Sequence, residues 1–319
     1  MATVPMDLIV PVDGSDHADA AARYAARMAL ALDAEVHLVH AFPGTVQQVM
    51  QYLGRTPRNV STEKMSAEAF ETLRNGSARR AFQHAREHMR EGLTVTEHVL
   101  DGEPADAITA FVKDGHDVQV IMGRRGIGRI QELLLGSVSE RVIQRVPGPV
   151  TVVTAGREAV ETPDGEPVPL VVPVDGSHTA CAAARHAAAR AAQTGATVHL
   201  LHAFPGLTSI DPAFNSSIST SGMDPVSRDQ LSTIAKLSAD EAFASAHQAI
   251  GTLEHDAPRL LEIRRMESPA RAINGYLREL GTAEVVMGRR GLGRVESLLL
   301  GSVSQRVLHG AGCPVTVIG

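Results

Sequence analysis

The chain contains no tryptophan, three tyrosines and seven phenylalanines, so aromatics make up only 3% of it. Its cores must therefore be built mainly from Ala, Val, Leu, Ile and Met. Stacking platforms for single-stranded nucleic acid are scarce. The net charge of −6 supplies no basic stripe for a duplex, which argues against broad nucleic-acid binding. Only two cysteines are present, Cys181 and Cys313, in neither a CxxC pair nor a metal-ligand spacing. Free, partly buried thiols in a reducing compartment are expected. No stretch approaches the ~20 apolar residues of a membrane span. The opening MATVPMDLIVPVDGS lacks a basic region and a long apolar run. It predicts no signal peptide and a cytoplasmic location. There is also no Gly-Lys-Ser/Thr phosphate loop, no GxGxxG after the first apolar run, no Ser-His-Asp arrangement and no metal-ligand cluster in the sequence. Walker-type and dinucleotide chemistry lose their support with them.

What is present is a duplication. Val10-Pro11-Val12-Asp13-Gly14-Ser15 recurs as Val172-Pro173-Val174-Asp175-Gly176-Ser177. His37-Leu38-Val39-His40-Ala41-Phe42-Pro43-Gly44 recurs as His199-Leu200-Leu201-His202-Ala203-Phe204-Pro205-Gly206. Met122-Gly123-Arg124-Arg125-Gly126 returns as Met287-Gly288-Arg289-Arg290-Gly291, and Leu135-Gly136-Ser137-Val138-Ser139 as Leu300-Gly301-Ser302-Val303-Ser304. The interval from Gly123 to Gly288 exceeds that from Asp13 to Asp175 by three residues, so a small insertion separates the copies. The chain has 319 residues, enough for two domains of about 150. A polar stretch rich in Pro, Gly and acids gives the boundary: one domain over 1–155, a linker over 156–168, and a second domain over 169–319.

Each copy alternates short apolar runs with helical patterns. In the first, strands are expected at Asp7–Val12, Glu35–Ala41, Thr94–Val99, Val118–Met122 and Val150–Val153. Helices are expected at Asp16–Leu32, over Glu63–Arg90 with a break at Asn75-Gly76, at Pro104–Lys113 and at Ser137–Arg145. This is an α/β pattern, two doubly wound domains with parallel sheets covered by helices on both faces. Such sheets bind ligands beyond the carboxyl ends of their strands. The stretch Leu207–Asp229, rich in Ser, Thr, Asp and Pro, reads as a loop, either a lid or a solvated linker.

The chemistry concentrates in Gly123, Gly126, Gly136 and Ser137 and in their equivalents Gly288, Gly291, Gly301 and Ser302. Glycines at this spacing serve either tight turns or a phosphate cradle in which backbone N–H groups approach without Cβ interference. Gly136-Ser137 opens a helix, whose N-terminus favours anions, and Ser137 is placed to cap it or to donate to a phosphate. One arginine of each pair, Arg124-Arg125 and Arg289-Arg290, suits a phosphate. The other is expected to be solvated or bonded to an acid on another domain. Asp13 and Asp175 end the first strand of each copy and suit a ribose hydroxyl, an adenine amine or the start of the next helix. His40 and His202 are expected to be packed, hydrogen-bonded residues.

The Gly-x2-Gly-x9-Gly-Ser segment after an apolar strand, with the early Val-Asp-Gly-Ser turn, resembles the universal stress protein family, in its ATP-binding, tandem-domain form. The resemblance covers nearly the whole chain, twice. It implies a five-stranded parallel sheet per domain and one ATP per domain, with Mg carried on the phosphates. It implies that Pro11, Val12 and Asp13 contact adenine and ribose, with Ala41 against the base. Met122, Gly123, Arg125 and Gly126 would wrap the ribose and first phosphates, and Gly136, Ser137 and Val138 would hold the outer ones. In the second copy the same roles fall to Pro173, Val174, Asp175 and Ala203, to Met287, Gly288, Arg290 and Gly291, and to Gly301, Ser302 and Val303. One departure stands out. Gly102 of the first copy is Glu267 in the second, a carboxylate expected to repel phosphate if that turn borders the ligand.

The function expected is a stress-response regulator that binds ATP without turning it over. The alternatives are a slow Mg-dependent ATPase or phosphotransferase, and a dimeric scaffold with vestigial sites. Pairing of the two domains within the chain, and a further homodimer, are expected through the closing strands Val150–Val153 and Val315–Ile318.

Overall fold

The structure is a computed structural model, described here over residues 7–45, 67–113, 117–126, 135–158, 165–205, 228–253, 258–292 and 300–319. The chain divides into two compact units, Val4–Val160 and Glu161–Ile318. No helix among the described residues is long and apolar enough to cross a membrane.

The first unit contains β1 (Asp7–Pro11), α1 (Asp16–Leu32), β2 (Glu35–Phe42), α2 (Ala67–Arg86), β3 (Val95–Asp101), α3 (Pro104–Lys113), β4 (Val118–Gly123), α4 (Ser137–Arg145) and β5 (Val150–Val153). Its strands run in the order β3-β2-β1-β4-β5 and every pairing between them is parallel. The second unit repeats this with β6 (Leu170–Pro173), α5 (His178–Thr194), β7 (Val198–Ala203), α6 (Arg228–Ile250), β8 (Leu260–Arg265), α7 (Pro269–Leu280), β9 (Glu284–Gly288), α8 (Ser302–Gly310) and β10 (Val315–Ile318), in the order β8-β7-β6-β9-β10, again parallel. Each unit is the doubly wound five-stranded sheet expected.

The central strands read as unbroken apolar runs because both of their faces are covered. β4, β5 and β9 are buried along nearly their whole length, whereas β3 and β8 carry only half-buried and exposed residues. Among the described aromatics, Tyr24, Phe82 and Phe243 lie inside the cores. Alanine does the rest. α1 buries seven alanines, and α5 also buries seven. These short side chains let both helices lie close to their sheets.

α1 and α5 are capped alike. Ser15 Oγ accepts from the N–H of Ala18 at 3.2 Å, and Ser177 Oγ from that of Ala180 at 3.3 Å. The helix cap is therefore the serine rather than the aspartate before it. Asp13 Oδ1 accepts from the N–H of Ser15, and Asp175 Oδ1 from that of Ser177, both at 3.0 Å, which shapes the turn one step upstream.

α2 runs without a break through Gly76, contrary to expectation. A glycine inside an exposed helix costs only about 1 kcal/mol. Ala78, Ala81, Phe82 and Ala85, spaced three and four apart, dock onto the first core and hold the helix together. β3 also extends two residues beyond its expected end, to Asp101. The loop expected over 207–229 lies outside the described residues, save Arg228 and Asp229, which begin α6.

Candidate functional site

In each unit the strand order reverses between the first and fourth strands, so a crevice opens beyond their carboxyl ends. The second unit holds a cavity of about 410 Å³ there, and the first one of about 90 Å³. The carboxyl end of the first strand supplies Pro11, Val12 and Asp13 to one cavity and Pro173, Val174 and Asp175 to the other. The second strand supplies Ala41 and Ala203. The glycine loop supplies Met122, Gly123, Arg125 and Gly126, and in the second unit Met287, Gly288, Arg290 and Gly291.

The helix after the loop contributes unequally. Gly301, Ser302 and Val303 all line the larger cavity, whereas Val138 lines the smaller one and Gly136 and Ser137 do not. Several further residues line both cavities. Ala18, Val39, Pro104, Ile108 and Ser139 line the first cavity, and Ala180, Leu201, Pro269, Ile273 and Ser304 take the same places in the second.

The loop glycines are there for close approach and not for positive φ, which none of them adopts. A Cβ on Gly123 would stand 2.6 Å from the backbone of His17 at the start of α1, and one on Gly288 would stand 2.8 Å from that of Thr179. A Cβ on Gly126 would meet Asp13 Oδ2 at 2.2 Å, and one on Gly291 would meet Asp175 Oδ2 at the same distance. The first obstacle to a side chain is therefore the aspartate, which the loop backbone passes at contact distance. In the second unit the N–H of Leu292 donates to Asp175 Oδ2 at 3.1 Å, tying loop to turn.

A buried serine fixes the loop from its other side. Ser139 Oγ donates to the carbonyl of Gly123, and Ser304 Oγ to that of Gly288, both at 2.9 Å. The helix that follows starts at Gly136 or Gly301, and neither α4 nor α8 carries a side-chain cap. Ser137 and Ser302 are the first helical residues and not the caps, so the capping role considered for them is not realised. α1 and α5 are capped by Ser15 and Ser177, whereas α4 and α8, whose first turns line the cavities, have no side-chain cap and leave backbone N–H groups for an outside acceptor.

His40 and His202 are structural. Each Nδ1–H donates to the carbonyl of the first-strand turn, Val12 or Val174, at 2.8 Å. That carbonyl can only accept, so Nε2 of the neutral ring receives the hydroxyl of Ser77 (3.0 Å) or Ser238 (3.1 Å). Burial pushes the His40 pKa down. The pair thus braces the turn that carries the aspartate. Arg125 and Arg290 reach the cavities, and Arg124 is buried at 5% exposure, so of the two alternatives for it solvation is not realised. Burial and the neighbouring guanidinium push the pKa of Arg124 and Arg289 down. Cys181 and Cys313 are not joined in a disulfide, and both are half-buried. Burial, with Asp175 nearby, raises the Cys181 pKa, the opposite of an activated thiolate.

Glu267 does not line the second cavity. Its carboxylate, just ahead of α7, pairs with Arg271 in the first turn of that helix at 3.2 Å, so the expected repulsion has no geometric basis. The carboxylates between the walls belong to the first unit. Glu103 bridges to Arg141 and Asp106 to Arg145, joining α3 to α4. Folding also gathers Asp7, Glu35 and His37 at the opposite, amino end of the first sheet, a metal-ligand type of group that no sequence spacing announced.

Comparisons with known proteins agree with this architecture. The family model described as "Universal stress protein family" matches residues 6–154 and again 169–319. A universal stress protein of Mycolicibacterium smegmatis is 28% identical over 318 residues, covering 98% of this chain and 96% of the relative. One from Methanocaldococcus jannaschii is 32% identical over 147 residues, covering 46% of this chain and 80% of the relative. The crystal structure of a universal stress protein from Archaeoglobus fulgidus superposes with a TM-score of 0.59 at 20% identity, covering 98% of each chain, and so shares the fold. This chain therefore belongs to the universal stress protein family, with two family domains in tandem.

Proposed function

We propose that each cleft binds an adenine nucleotide, ATP in the first place, and that the protein acts as a stress-response regulator through nucleotide-dependent conformation. The observation that carries this reading is the open helix N-terminus aimed at an apolar cavity in each unit. A phosphate group supplies the acceptor that α4 and α8 lack. The apolar walls, Val12, Val39, Ala41, Ile108 and Met122 in the first unit, suit a flat base. Asp13 and Asp175, at the cavity edge, face the place for a ribose, and Arg125 and Arg290 stand beside the phosphate end. Mg would travel on the phosphates. The reading includes a cytoplasmic site of action and a homodimer.

Turnover is the weaker alternative. Asp175 already accepts two backbone N–H groups, from Ser177 and Leu292, which suits a structural acceptor better than a base for water. Single-turnover assay of ATP-loaded protein should show no hydrolysis on the time scale of nucleotide exchange.

Mass spectrometry of freshly purified, denatured chain tests the main reading. An adenine nucleotide released in stoichiometric amount is expected. Gly126→Val and Gly291→Val should each remove one site, because the new Cβ drives Asp13 or Asp175 out of place. No nucleotide in the purified chain, and none taken up at millimolar ATP, would end the proposal.

A further inference from the structure

We propose that two ion pairs between α3 and α4 form a latch that narrows the first cleft, so that the second cleft fills at lower nucleotide concentration. The inference rests on the nucleotide reading above. Pro104 and Ile108 on α3 face Val138 and Ser139 on α4 across the first cavity. Glu103, immediately before α3, and Asp106, in its first turn, pair with Arg141 and Arg145, one turn apart on α4. The first bridge is anchored at both ends. Glu103 Oε2 accepts the N–H groups of Ala105 at 3.1 Å and Asp106 at 3.2 Å, and Arg141 Nε donates to the carbonyl of Ser137 at 3.4 Å.

The second unit has lost every opposing pair. Ser268 stands in the place of Glu103, Arg271 of Asp106, Arg306 of Arg141 and Gly310 of Arg145. Serine and glycine offer no charge, and the two charged residues that remain are both arginines, which cannot pair with each other. Arg271 turns back to Glu267 on its own side. The cavity between α7 and α8 is about 410 Å³, against about 90 Å³ between α3 and α4. Charge adds to width. In the first unit Glu103 places a carboxylate beside the helix start where phosphates are expected, and it neutralises Arg141. In the second, Arg306 keeps its charge for a polyanion.

Exposed ion pairs contribute modestly, so two of them together imply about a three- to thirtyfold difference in affinity between the clefts. A protein with such a pair of sites responds to two ranges of nucleotide concentration with one chain. Because the bridges are partly solvated, salt should shrink the ratio of the two affinities.

The test uses the full chain with one cleft disabled and ATP as the probe, followed by titration calorimetry. In Gly291→Val, only the first cleft reports. Adding Glu103→Ser and Asp106→Asn should tighten ATP there by about three- to thirtyfold. A chain carrying Gly291→Val with the swapped pair Asp106→Arg and Arg145→Asp should regain the weak affinity, which a mere loss of packing would not produce. Thermal unfolding of each variant confirms that it is folded. Unchanged or weaker ATP binding after unlatching, with ATP still bound at both clefts of the parent chain, overturns the latch alone. ATP binding at neither cleft of the parent overturns the nucleotide reading and the latch with it.

Discussion

The two clefts share their backbone and differ in the side chains that join their walls. Both have an aspartate turn held by Ser15 or Ser177, a glycine loop passing that aspartate at contact distance, a buried serine under the loop and a histidine brace behind the turn. They part at the mouth, where four charged residues of the first unit become serine, arginine, arginine and glycine in the second. They part again beneath the sheet. Arg190 and Glu284 form a buried ion pair in the second unit, at 5% and 4% side-chain exposure, where the first has Met28 and Gln119. Close-packed positions leave no room for change without a clash. Exposed helix faces and paired polar positions can change together.

The largest expected effect concerns that buried pair. Glu284→Gln should destabilise the second unit by about 3–5 kcal/mol, because Arg190 keeps its charge without its carboxylate. Adding Arg190→Met, which recreates the combination found in the first unit, should recover most of the loss. Chemical unfolding of the two variants measures this. Equal costs for the single and the double variant would show that the pair is not coupled.

Next come the loop serines. Ser139→Ala and Ser304→Ala each remove a buried hydrogen bond and leave the carbonyl of Gly123 or Gly288 without that donor. A cost of about 1–3 kcal/mol is expected in each unit. Similar costs in both would support a shared device, and a cost in one unit only would break the symmetry claimed for the backbone.

A smaller effect is a pH response carried by His40 in the first unit. The His40 pKa is held below its ordinary 6.5 by burial. The unfolded chain therefore binds the proton more readily than the folded one. The stability this neutral ring contributes is full above about pH 6.5 and is lost as pH falls through the lowered folded pKa. Acidification from pH 7 to 5 should destabilise the first unit, and His40→Gln should flatten that slope. A slope unchanged in the variant would remove His40 from the account.

Much of the fold was legible because central strands buried on both faces are written as short apolar runs, and Val118–Gly123 or Val150–Val153 need no periodicity to be seen. The supposed break at Gly76 failed because docking of Phe82 and its alanine neighbours outweighs one glycine's local cost. At the site, Gly123, Gly126 and Asp13 were visible through their repeated spacing. Ile108 and Ala18 were not, because an apolar wall residue looks like any core residue until three separate elements meet. The serine under the loop stood in the repeated LLLGSVS segment, and its repetition at Ser139 and Ser304 was the one signal that could have singled it out. The bridges from Glu103 to Arg141 and from Asp106 to Arg145 join residues of different helices whose charges, read singly, are ordinary solvated ones.

Equilibrium dialysis of the full chain against labelled ATP tests the central claim most directly. The account predicts two ATP per chain at saturation, bound in two steps, with the tighter step abolished by Gly291→Val and the weaker by Gly126→Val. Absence of binding at millimolar ATP, or loss of both steps together in either variant with the fold intact, would contradict it.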